Sequence, residues 1–504
     1  AVEASGTAEE PTAIAPADAI GAPPKGDPTL RAQAALAEGP VTFRDHFVSL
    51  YQSAVDDIAG KIAAGQKAGI ESLAVDQASE LVLAAQDIAQ SQIEPHASSQ
   101  PGATVAGKES MLEGMSVPDH ARACASLGWQ YMQAKVFGDT VTAKRLEGEL
   151  DAGGCDPRWA QTIEQYVKYF GVGGTRAQPQ YVTPGQAGEA VLVMKKDAKI
   201  GLVGDWGTGA EPAQRVLQQL KEQKPDILIH LGDIYYSGTE EECVTKFEAI
   251  VNRTFDRPRS KLPVYTLAGN HDMYCGGVGY YGLISRLNSG LKGPNGKSMV
   301  QPASFFCLRA EDDSWQLLAM DTGRHDYSPF SVTAVVTFVE PDEQEWLARR
   351  MREFSGRTIL LSHHQLFSAF SQIGARGANG RFNPVNPKLS ATYTALTQNG
   401  KGVAAWYWGH EHNLCIYGPY AGLERGRCLG HSAIPVFVDD TPYDTLAGLD
   451  NPPRIVPNTM VSKAGQFYTH GFAVLSLGSN GTATADYFED LNGAVHKMHT
   501  EAIT

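Results

Sequence analysis

The spacing of apolar side chains predicts helices in the first third of the chain. Between about residues 28 and 175, Phe47, Leu50, Val55 and Ile58 fall on one helical stripe. Further helices are predicted in "QASELVLAAQDIAQ", "HARACASLGWQYMQAKVF" and "DPRWAQTIEQYVKYF". Amphipathic stripes need partners that bury them, so we expect an all-α helical domain over 28–175. The alternative is an elongated coiled coil, which is weaker because no heptad persists.

From about residue 191 to 504 the pattern changes to short apolar runs that alternate with amphipathic segments. The segments "KIGLVGDWG", "PDILIHLGD" and "LPVYTLAGNHD" are predicted strands, and the segments between them are predicted helices. This alternation predicts an α/β fold with a mainly parallel sheet and helical crossovers. Later strands, which suit a second sheet packed on the first, are predicted in "SWQLLAMDT", "RTILLSHH", "GVAAWYWGHEH" and "GFAVLSLG".

Two segments without these patterns set the domain boundaries. Residues 1–27 are rich in Ala, Pro, Glu and Gly, which predicts a flexible N-terminal arm. Residues 176–190 contain turn-forming residues and are predicted to be a linker. A chain of 504 residues is long for a single core, so we expect a helical domain over 28–175 and a catalytic domain over 191–504.

Charge and composition narrow the classes of partner. The chain has 42 basic and 56 acidic residues, a formal charge of −14, which argues against nucleic acid and anionic membranes as partners. No apolar window reaches the length of a membrane span. The seven cysteines indicate a mostly reduced chain with room for one or two disulfides. We expect a cytoplasmic protein, with an extracytoplasmic location after removal of a leader as the alternative.

Five short polar segments each follow an apolar, strand-like run. They are "GDWG" (204–207), "GDIYY" (232–236), "GNHD" (269–272), "SHH" (362–364) and "GHEH" (409–412). Open α/β sheets bind their ligands at the carboxyl ends of strands, so we expect these segments to meet. Together they offer Asp205, Asp233, Tyr236, Asn270, His271, His363, His410 and His412.

These donor types suit zinc, manganese or iron, and no cysteine is needed. Asp233 is placed to give one oxygen to each of two cations, and Tyr236 is placed to bind one of them, with Tyr235 as the adjacent alternative. A shared carboxylate and a bridging hydroxide reduce the repulsion between two cations. The same hydroxide supplies a nucleophile, because a metal lowers the pKa of water to about 7.

The five segments resemble the calcineurin-like binuclear metallophosphoesterases across roughly residues 190–490, and most of all their purple and tartrate-resistant acid phosphatase branch. The resemblance implies an αββα two-sheet sandwich. It implies iron held by Asp205, Asp233, Tyr236 and His412, and a second metal (zinc, manganese or iron) held by Asp233, Asn270, His363 and His410. It also implies that His271 contacts the phosphoryl oxygen and protonates the leaving group.

One position departs from that branch. Its acid phosphatases carry a further histidine about nine residues past the position of His363, where this chain has Gln372. The segment offers only His364, which we predict to bind substrate. The departure argues against an efficient acid monoesterase and leaves both monoesters and diesters open. His325 and Asp326, on a loop after a predicted strand, are further candidates to line the pocket.

The leading hypothesis is a metal-dependent phosphoester hydrolase with two metal ions and a small phosphoester substrate. The helical domain is a candidate for capping the active site, for oligomerisation or for docking a protein partner. The alternative is a non-catalytic scaffold on an esterase fold whose helical domain carries the function. A single structural zinc fits badly, because structural zinc sites are closed and rich in cysteine.

Overall fold

The structure, a computed structural model, describes residues 139–142, 144–146, 181–235, 238–257, 259–327, 336–371, 373, 377, 379–436, 438, 441–465 and 467–503. The predicted arm and nearly all of the predicted helical domain lie outside these residues. In the described ranges, no helix combines the length and the apolar character that crossing a bilayer requires.

Fifteen strands form the framework of the described part of the chain. In chain order they are β1 (Val191–Met194), β2 (Lys199–Val203), β3 (Ile227–His230), β4 (Val264–Thr266), β5 (Phe306–Ala310), β6 (Trp315–Ala319), β7 (Arg357–Leu361), β8 (Val403–Trp408), β9 (Leu414–Ile416), β10 (Gly426–Leu429), β11 (Lys463–Ala464), β12 (Phe467–Tyr468), β13 (Gly471–Leu477), β14 (Ala483–Leu491) and β15 (Ala494–Ile503).

Helices connect these strands. They are α1 (Pro184–Ala187), α2 (Glu211–Glu222), α3 (Glu240–Glu242), α4 (Ala249–Thr254), α5 (Asn270–Met273), α6 (Val278–Arg286), α7 (Pro341–Arg352) and α8 (Pro387–Thr397). A π-helical stretch, Cys243–Glu248, joins α3 to α4, and a 3₁₀ turn, Gln398–Gly400, follows α8. The short helix α1 falls inside the predicted linker.

Two sheets pack face to face. One has seven strands in the order β1-β5-β6-β7-β8-β10-β9, and the other has six in the order β15-β14-β13-β2-β3-β4. Leu202 and Ile229 of the six-stranded sheet share a buried cluster with Leu317 and Ile359 of the seven-stranded sheet. Because neighbouring side chains alternate across a strand, the next residues face outward.

Helices cover both outer faces. On the six-stranded sheet, the outward Val203 packs with Val216 of α2. On the seven-stranded sheet, the outward Leu318 and Leu360 pack with Trp346 of α7. The resulting order of layers is helix, sheet, sheet and helix, which confirms the predicted αββα sandwich.

Both sheets are mixed, so the prediction of a mainly parallel sheet holds only for part of each. Strands β2, β3 and β4 run parallel, as do β6, β7, β8 and β10. Strands β13, β14 and β15 pair antiparallel, as do β5 with β6 and β9 with β10. The physical reason is connection length: the turns at 478–482 and 492–493 are too short for a crossover, which needs a dozen or more residues.

A buried ion pair joins the two sheets. Arg427 of β10 donates from Nε and Nη2 to the two carboxylate oxygens of Glu501 on β15, at 2.7 and 2.6 Å. The Tyr487 hydroxyl of β14 donates to the same carboxylate at 2.6 Å. Arg427 is only 3% exposed, so its charge depends on this partner.

We expect Glu501→Ala to lower the free energy of unfolding by about 3 kcal/mol, because it leaves the buried Arg427 guanidinium without its carboxylate. Denaturant unfolding measures the change. The matched control is Lys497→Ala on the same strand. It removes an ion pair with Asp486 whose lysine side chain is 51% exposed, and we expect a change within about 0.5 kcal/mol. Equal effects of the two substitutions would contradict this account of the ion pair.

Candidate metal centre

The predicted polar segments converge at one edge of the sandwich. Asp205 and Asp233 lie in the loops after the parallel strands β2 and β3, and Asn270 begins α5 after β4. His363 and His410 lie after β7 and β8. The two sheets are tied together here, since the Gly204 amide donates to the Ser432 hydroxyl beyond β10 at 3.1 Å.

The backbone at these loops adopts an uncommon conformation. Asp205, Asp233, His410 and His412 all have positive φ, at 54°, 76°, 73° and 48°. For residues other than glycine this region is sparsely populated and clusters at functional sites. Its recurrence at four candidate ligands indicates that the fold holds them in place at a conformational cost.

One group of donors contains Asp205, Asp233 and His412, whose ligand atoms lie within 4.8 Å of one another. His412 Nε2 is 3.5 Å from Asp205 Oδ1. The Tyr235 hydroxyl lies between them. It donates to Asp205 Oδ1 at 3.0 Å and to Asp233 Oδ2 at 3.2 Å, and it is 3.3 Å from His412 Nε2.

The second group contains Asn270, His363 and His410, and it shares Asp233 with the first. Asn270 Oδ1 is 3.0 Å from His363 Nε2 and 3.1 Å from His410 Nδ1. The two ring nitrogens are 3.3 Å apart, and His363 Nε2 is 3.4 Å from Asp233 Oδ2. Two imidazole nitrogens and two oxygens therefore face one small volume.

The tautomer of His363 follows from its other nitrogen. Nδ1 is 2.9 Å from the Leu231 carbonyl oxygen, which can only accept a hydrogen bond, so Nδ1 carries a proton. In the neutral ring, Nε2 then presents its lone pair to Asn270 and Asp233. A backbone carbonyl that fixes the tautomer in this way is the usual support of a metal-binding histidine.

Among the described residues, the phenol that contacts both Asp205 and Asp233 belongs to Tyr235. Tyr236, the residue predicted to bind a metal, lies outside the described residues, so that prediction stays a prediction. Tyr235 is fully buried, and its ring centroid is 4.5 Å from that of His271. Burial, together with Asp205 and Asp233, raises the pKa of the Tyr235 phenol well above its usual value.

Asp272 supports the centre, and the sequence analysis did not assign it a role. Its carboxylate accepts backbone hydrogen bonds from Gly269 at 2.8 Å, Asp233 at 3.0 Å and Ile234 at 3.2 Å. It thereby ties the loop after β3 to the loop after β4. Burial, with the Asp233 carboxylate nearby, raises the pKa of Asp272 to about 7. Its place in "GNHD", at the start of a helix, was the available signal.

Glycines allow the loops to approach closely. A Cβ at Gly269 would stand 2.0 Å from Asp233 Oδ1, and one at Gly409 would stand 2.6 Å from Asp205 Oδ2. At Gly269 the added Cβ would collide with the Asp233 carboxylate, which both donor groups share. Any side chain at these positions would have to displace a candidate ligand.

The two buried carboxylates of the site, Asp205 and Asp233, require nearby positive charge to be stable in their ionised forms. Asp205 and Asp233 are at most 1% exposed, and within the described ranges neither forms an ion pair with lysine or arginine. Burial raises the pKa of Asp205 well above its usual range. Burial opposes ionisation of Asp233 as well, but His363 and His271 lower its pKa well below the usual value. Burial opposes protonation of the His363 ring, but the Asp233 carboxylate favours it, and the pKa of His363 is raised to about 9.

The donor set fits metal ions. It consists of carboxylate, amide and imidazole groups with a phenol, which suits zinc, manganese or iron. Metal ions would also supply the positive charge that two buried carboxylates require. The structure therefore brings together Asp205, Asp233, Asn270, His363, His410 and His412, all predicted from the sequence as ligands.

His271 and His364 border the centre in different ways. The His271 backbone amide donates to Asp233 Oδ1 at 3.0 Å, and the His271 ring packs against the rings of Tyr235 and Tyr274. His364 Nε2 is 3.1 Å from Asp326 Oδ2, and its ring centroid is 4.4 Å from that of His410. Their predicted roles in proton transfer and substrate binding stay predictions.

His325 and Asp326, the two loop residues predicted as further candidates to line the pocket, have different surroundings. Asp326 reaches the site through its contact with His364, whereas His325 turns away to Glu340, 3.2 Å from its Nε2. Gln372 lies outside the described residues.

We expect Gly409→Ala to weaken metal binding about 10- to 100-fold, because the added methyl group displaces the Asp205 carboxylate. Metal titration of the apoprotein measures the affinity. Gly402→Ala, at the start of the same strand, is the matched control, since a Cβ there has no atom within 4 Å. Unchanged affinity in Gly409→Ala would show that the Asp205 carboxylate does not bind the metal in this position.

A family model and several solved structures match parts of the chain. Residues 198–414 match the family model described as calcineurin-like phosphoesterase. No curated protein matches the chain. Two solved structures share 14% and 13% identity with it: GAP50, the anchor in the inner membrane complex of Plasmodium, and the purple acid phosphatase PPD1 from yellow lupin (Lupinus luteus) seeds.

The first match covers 61% of this chain and 90% of GAP50, with a TM-score of 0.37. The second covers 62% of this chain and 54% of the lupin enzyme, with a TM-score of 0.36, so it spans about half of that enzyme. Residues 198–414 of this chain are a calcineurin-like phosphoesterase domain.

Proposed function

We propose that the protein hydrolyses a small phosphoester with the help of two metal ions. The observation that carries this proposal is the shared position of Asp233. Its carboxylate borders the donor group of Asp205 and His412 and also the donor group of Asn270, His363 and His410. Two cations that share one carboxylate are the arrangement that in-line displacement at phosphorus uses in other enzymes.

The proposed division of the ligands between two cations is the one that the resemblance implies. Asp205, Asp233 and His412, with a tyrosine phenol, would hold one cation, expected to be iron. Asp233, Asn270, His363 and His410 would hold the other, expected to be zinc, manganese or iron. Cations bound there would supply charge to stabilise the phosphoryl oxygens and would lower the pKa of a coordinated water to about 7.

The remaining residues would position groups and move protons. His271 is proposed to contact a phosphoryl oxygen and to give a proton to the departing alkoxide. The rings of Tyr235 and Tyr274 both pack against its ring, at centroid distances of 4.5 and 4.6 Å, which limits its rotation. His364 is proposed to bind substrate, with Asp326 and Thr322 fixing its ring at 3.1 Å each.

Two features of the sequence bear on the class of phosphoester: the net charge of the chain, and Gln372 at a position where the acid phosphatase branch has a histidine. A net charge of −14 disfavours nucleic acid, so a small phosphoester is the proposed substrate. Gln372 stands where acid phosphatases of the branch have a histidine, which favours neither an acidic optimum nor monoesters alone. Rates on p-nitrophenyl phosphate and its bis ester, at about pH 5 and about pH 8, would assign the class. A strong acid preference for the monoester would contradict this expectation.

We expect His410→Ala to lose one metal and to lower kcat/KM on these esters by about 100-fold or more, because one cation loses a ligand. Elemental analysis and steady-state kinetics measure the two effects. His496→Ala, which removes a histidine whose side chain is 55% exposed on β15, should keep both metal and rate. Near-normal turnover in metal-depleted His410→Ala would refute the proposal. A full metal complement in the unmodified protein without hydrolysis of either ester would favour the non-catalytic scaffold.

We expect the iron-loaded protein to show a visible phenolate-to-iron band that Tyr235→Phe abolishes and Tyr236→Phe retains, because the Tyr235 hydroxyl lies among Asp205, Asp233 and His412. Absorption spectra of the two variants at equal iron content measure this. Loss of the band in Tyr236→Phe alone would support the prediction from the sequence that Tyr236 binds the metal. A colourless protein with two zinc or manganese ions would contradict the expectation of iron.

A further inference from the structure

Two cysteines lie opposite each other on β9 and β10, next to the segment 409–413 that contains the candidate ligands His410 and His412. Cys415 of β9 and Cys428 of β10 are directly opposite in the antiparallel register, so their side chains lie on the same face of the sheet. Both are free thiols and both are fully buried. Burial, and then the neighbouring Cys415 side chain, raise the pKa of the Cys428 thiol well above its usual value.

The backbone spacing at this pair suits a disulfide. The Gly430 amide donates to the Asn413 carbonyl, and the Tyr417 amide donates to the Gly426 carbonyl. Hydrogen-bonded and non-hydrogen-bonded pairs alternate along an antiparallel ladder, so the pair midway between these two is also a hydrogen-bonded one. The Cα atoms of such a pair are about 5.5 Å apart, inside the range of about 4.4 to 6.8 Å that disulfides span. Their Cβ atoms, up to about 5.5 Å apart in a hydrogen-bonded pair, must approach to about 3.5 to 4.5 Å, which strains the disulfide and makes it easier to reduce.

Both thiols also contact the ends of the segment 409–413, which contains His410 and His412. The Cys428 thiol donates to the Gly409 carbonyl oxygen at 3.3 Å, directly before His410. The Cys415 thiol donates to Asn413 Oδ1 at 3.1 Å, directly after His412. The cysteine pair therefore holds the residues on both sides of the candidate ligands His410 and His412 through hydrogen bonds.

The strand that carries Cys415 is suited to local opening. β9 has three residues and lies at the edge of the seven-stranded sheet. Short edge strands open locally at a lower free energy than central strands, which would expose Cys415 to a small oxidant. Cys307 offers a contrast, since it lies on β5 between other strands and faces Leu318 and Val191 instead of a cysteine.

We propose that Cys415 and Cys428 form a reversible disulfide by exchange with a low-molecular-weight disulfide, and that this bond weakens metal retention by the segment 409–413. The Cys415 thiolate attacks one sulfur of the small disulfide and releases one thiolate. The Cys428 thiolate then attacks the Cys415 sulfur and releases the second. The two protons lost by the cysteines pass to the two released thiolates, so the oxidant is reduced by two electrons.

The expected effect on metal follows from the lost hydrogen bonds. The disulfide removes both S–H donors, so the Gly409 carbonyl and the Asn413 side chain each lose one hydrogen bond next to a ligand. Changes in such supporting contacts typically cost 10- to 100-fold in metal affinity. This part of the inference rests on the metal centre proposed above, whereas formation of the disulfide does not.

The test equilibrates the full-length, metal-free protein with oxidised and reduced glutathione. Alkylation and peptide mass mapping identify the disulfide, and titration with zinc then measures affinity. We expect one disulfide that joins the peptides of Cys415 and Cys428, and metal binding about 10-fold weaker than in the reduced protein. Dithiothreitol should reverse both changes.

Serine variants provide matched controls. Cys415→Ser with Cys428→Ser keeps a hydroxyl donor at each position, so this double variant should bind metal like the reduced protein under oxidising conditions. Cys307→Ser should respond to glutathione like the unmodified protein. Free thiols at 415 and 428 throughout the glutathione series would overturn the proposal, and a disulfide with unchanged metal affinity would overturn its regulatory half. Absence of metal binding in both redox states would instead refute the proposed metal centre.

Discussion

Two carboxylates buried side by side are the constraint on which the rest of the structure depends. Asp205 and Asp233 are at most 1% exposed, and the Tyr235 hydroxyl bridges them. Taking two ionised carboxylates out of water costs several kcal/mol each unless opposite charge or hydrogen bonds compensate. Within the described ranges, the ion-pair partners of these carboxylates are His363 and His412. Metal cations are the compensation that this arrangement suits best.

The scaffold is built to hold that arrangement. Parallel strands from both sheets end at one edge, and the loops beyond them adopt positive φ at four candidate ligands. Glycine at 269 and 409 lets the loops approach the carboxylates more closely than any side chain would allow. Asp272 then fixes the loops after β3 and β4 to each other through three backbone amides. The favourable packing of the large core between the sheets offsets the free-energy cost of these strained backbone conformations.

Much of the site could be predicted from the sequence, because ligands at strand ends leave a local signal. Each of the segments that carry Asp205, Asp233, Asn270, His363 and His410 follows an apolar run, and the fold brings those runs to one edge. The alternation of strands and helices predicted an α/β fold with a second sheet packed on the first, and the family resemblance implied the helix–sheet–sheet–helix layering.

Other features depend on contacts between distant residues and leave no such signal. The inward position of Tyr235 depends on the loop conformation after Asp233, which no pattern in the sequence reveals. The support by Asp272 and the contact of Asp326 with His364 require loops from different strands to meet. The antiparallel parts of both sheets depend on strand pairing, which periodicity within one strand does not reveal.

Anomalous diffraction from metal-loaded crystals tests the central claim most directly. The account predicts two metal peaks about 3.5 to 4 Å apart, with one Asp233 carboxylate oxygen in contact with each metal or shared by both. A single peak, or two peaks of which neither contacts Asp233, would contradict it.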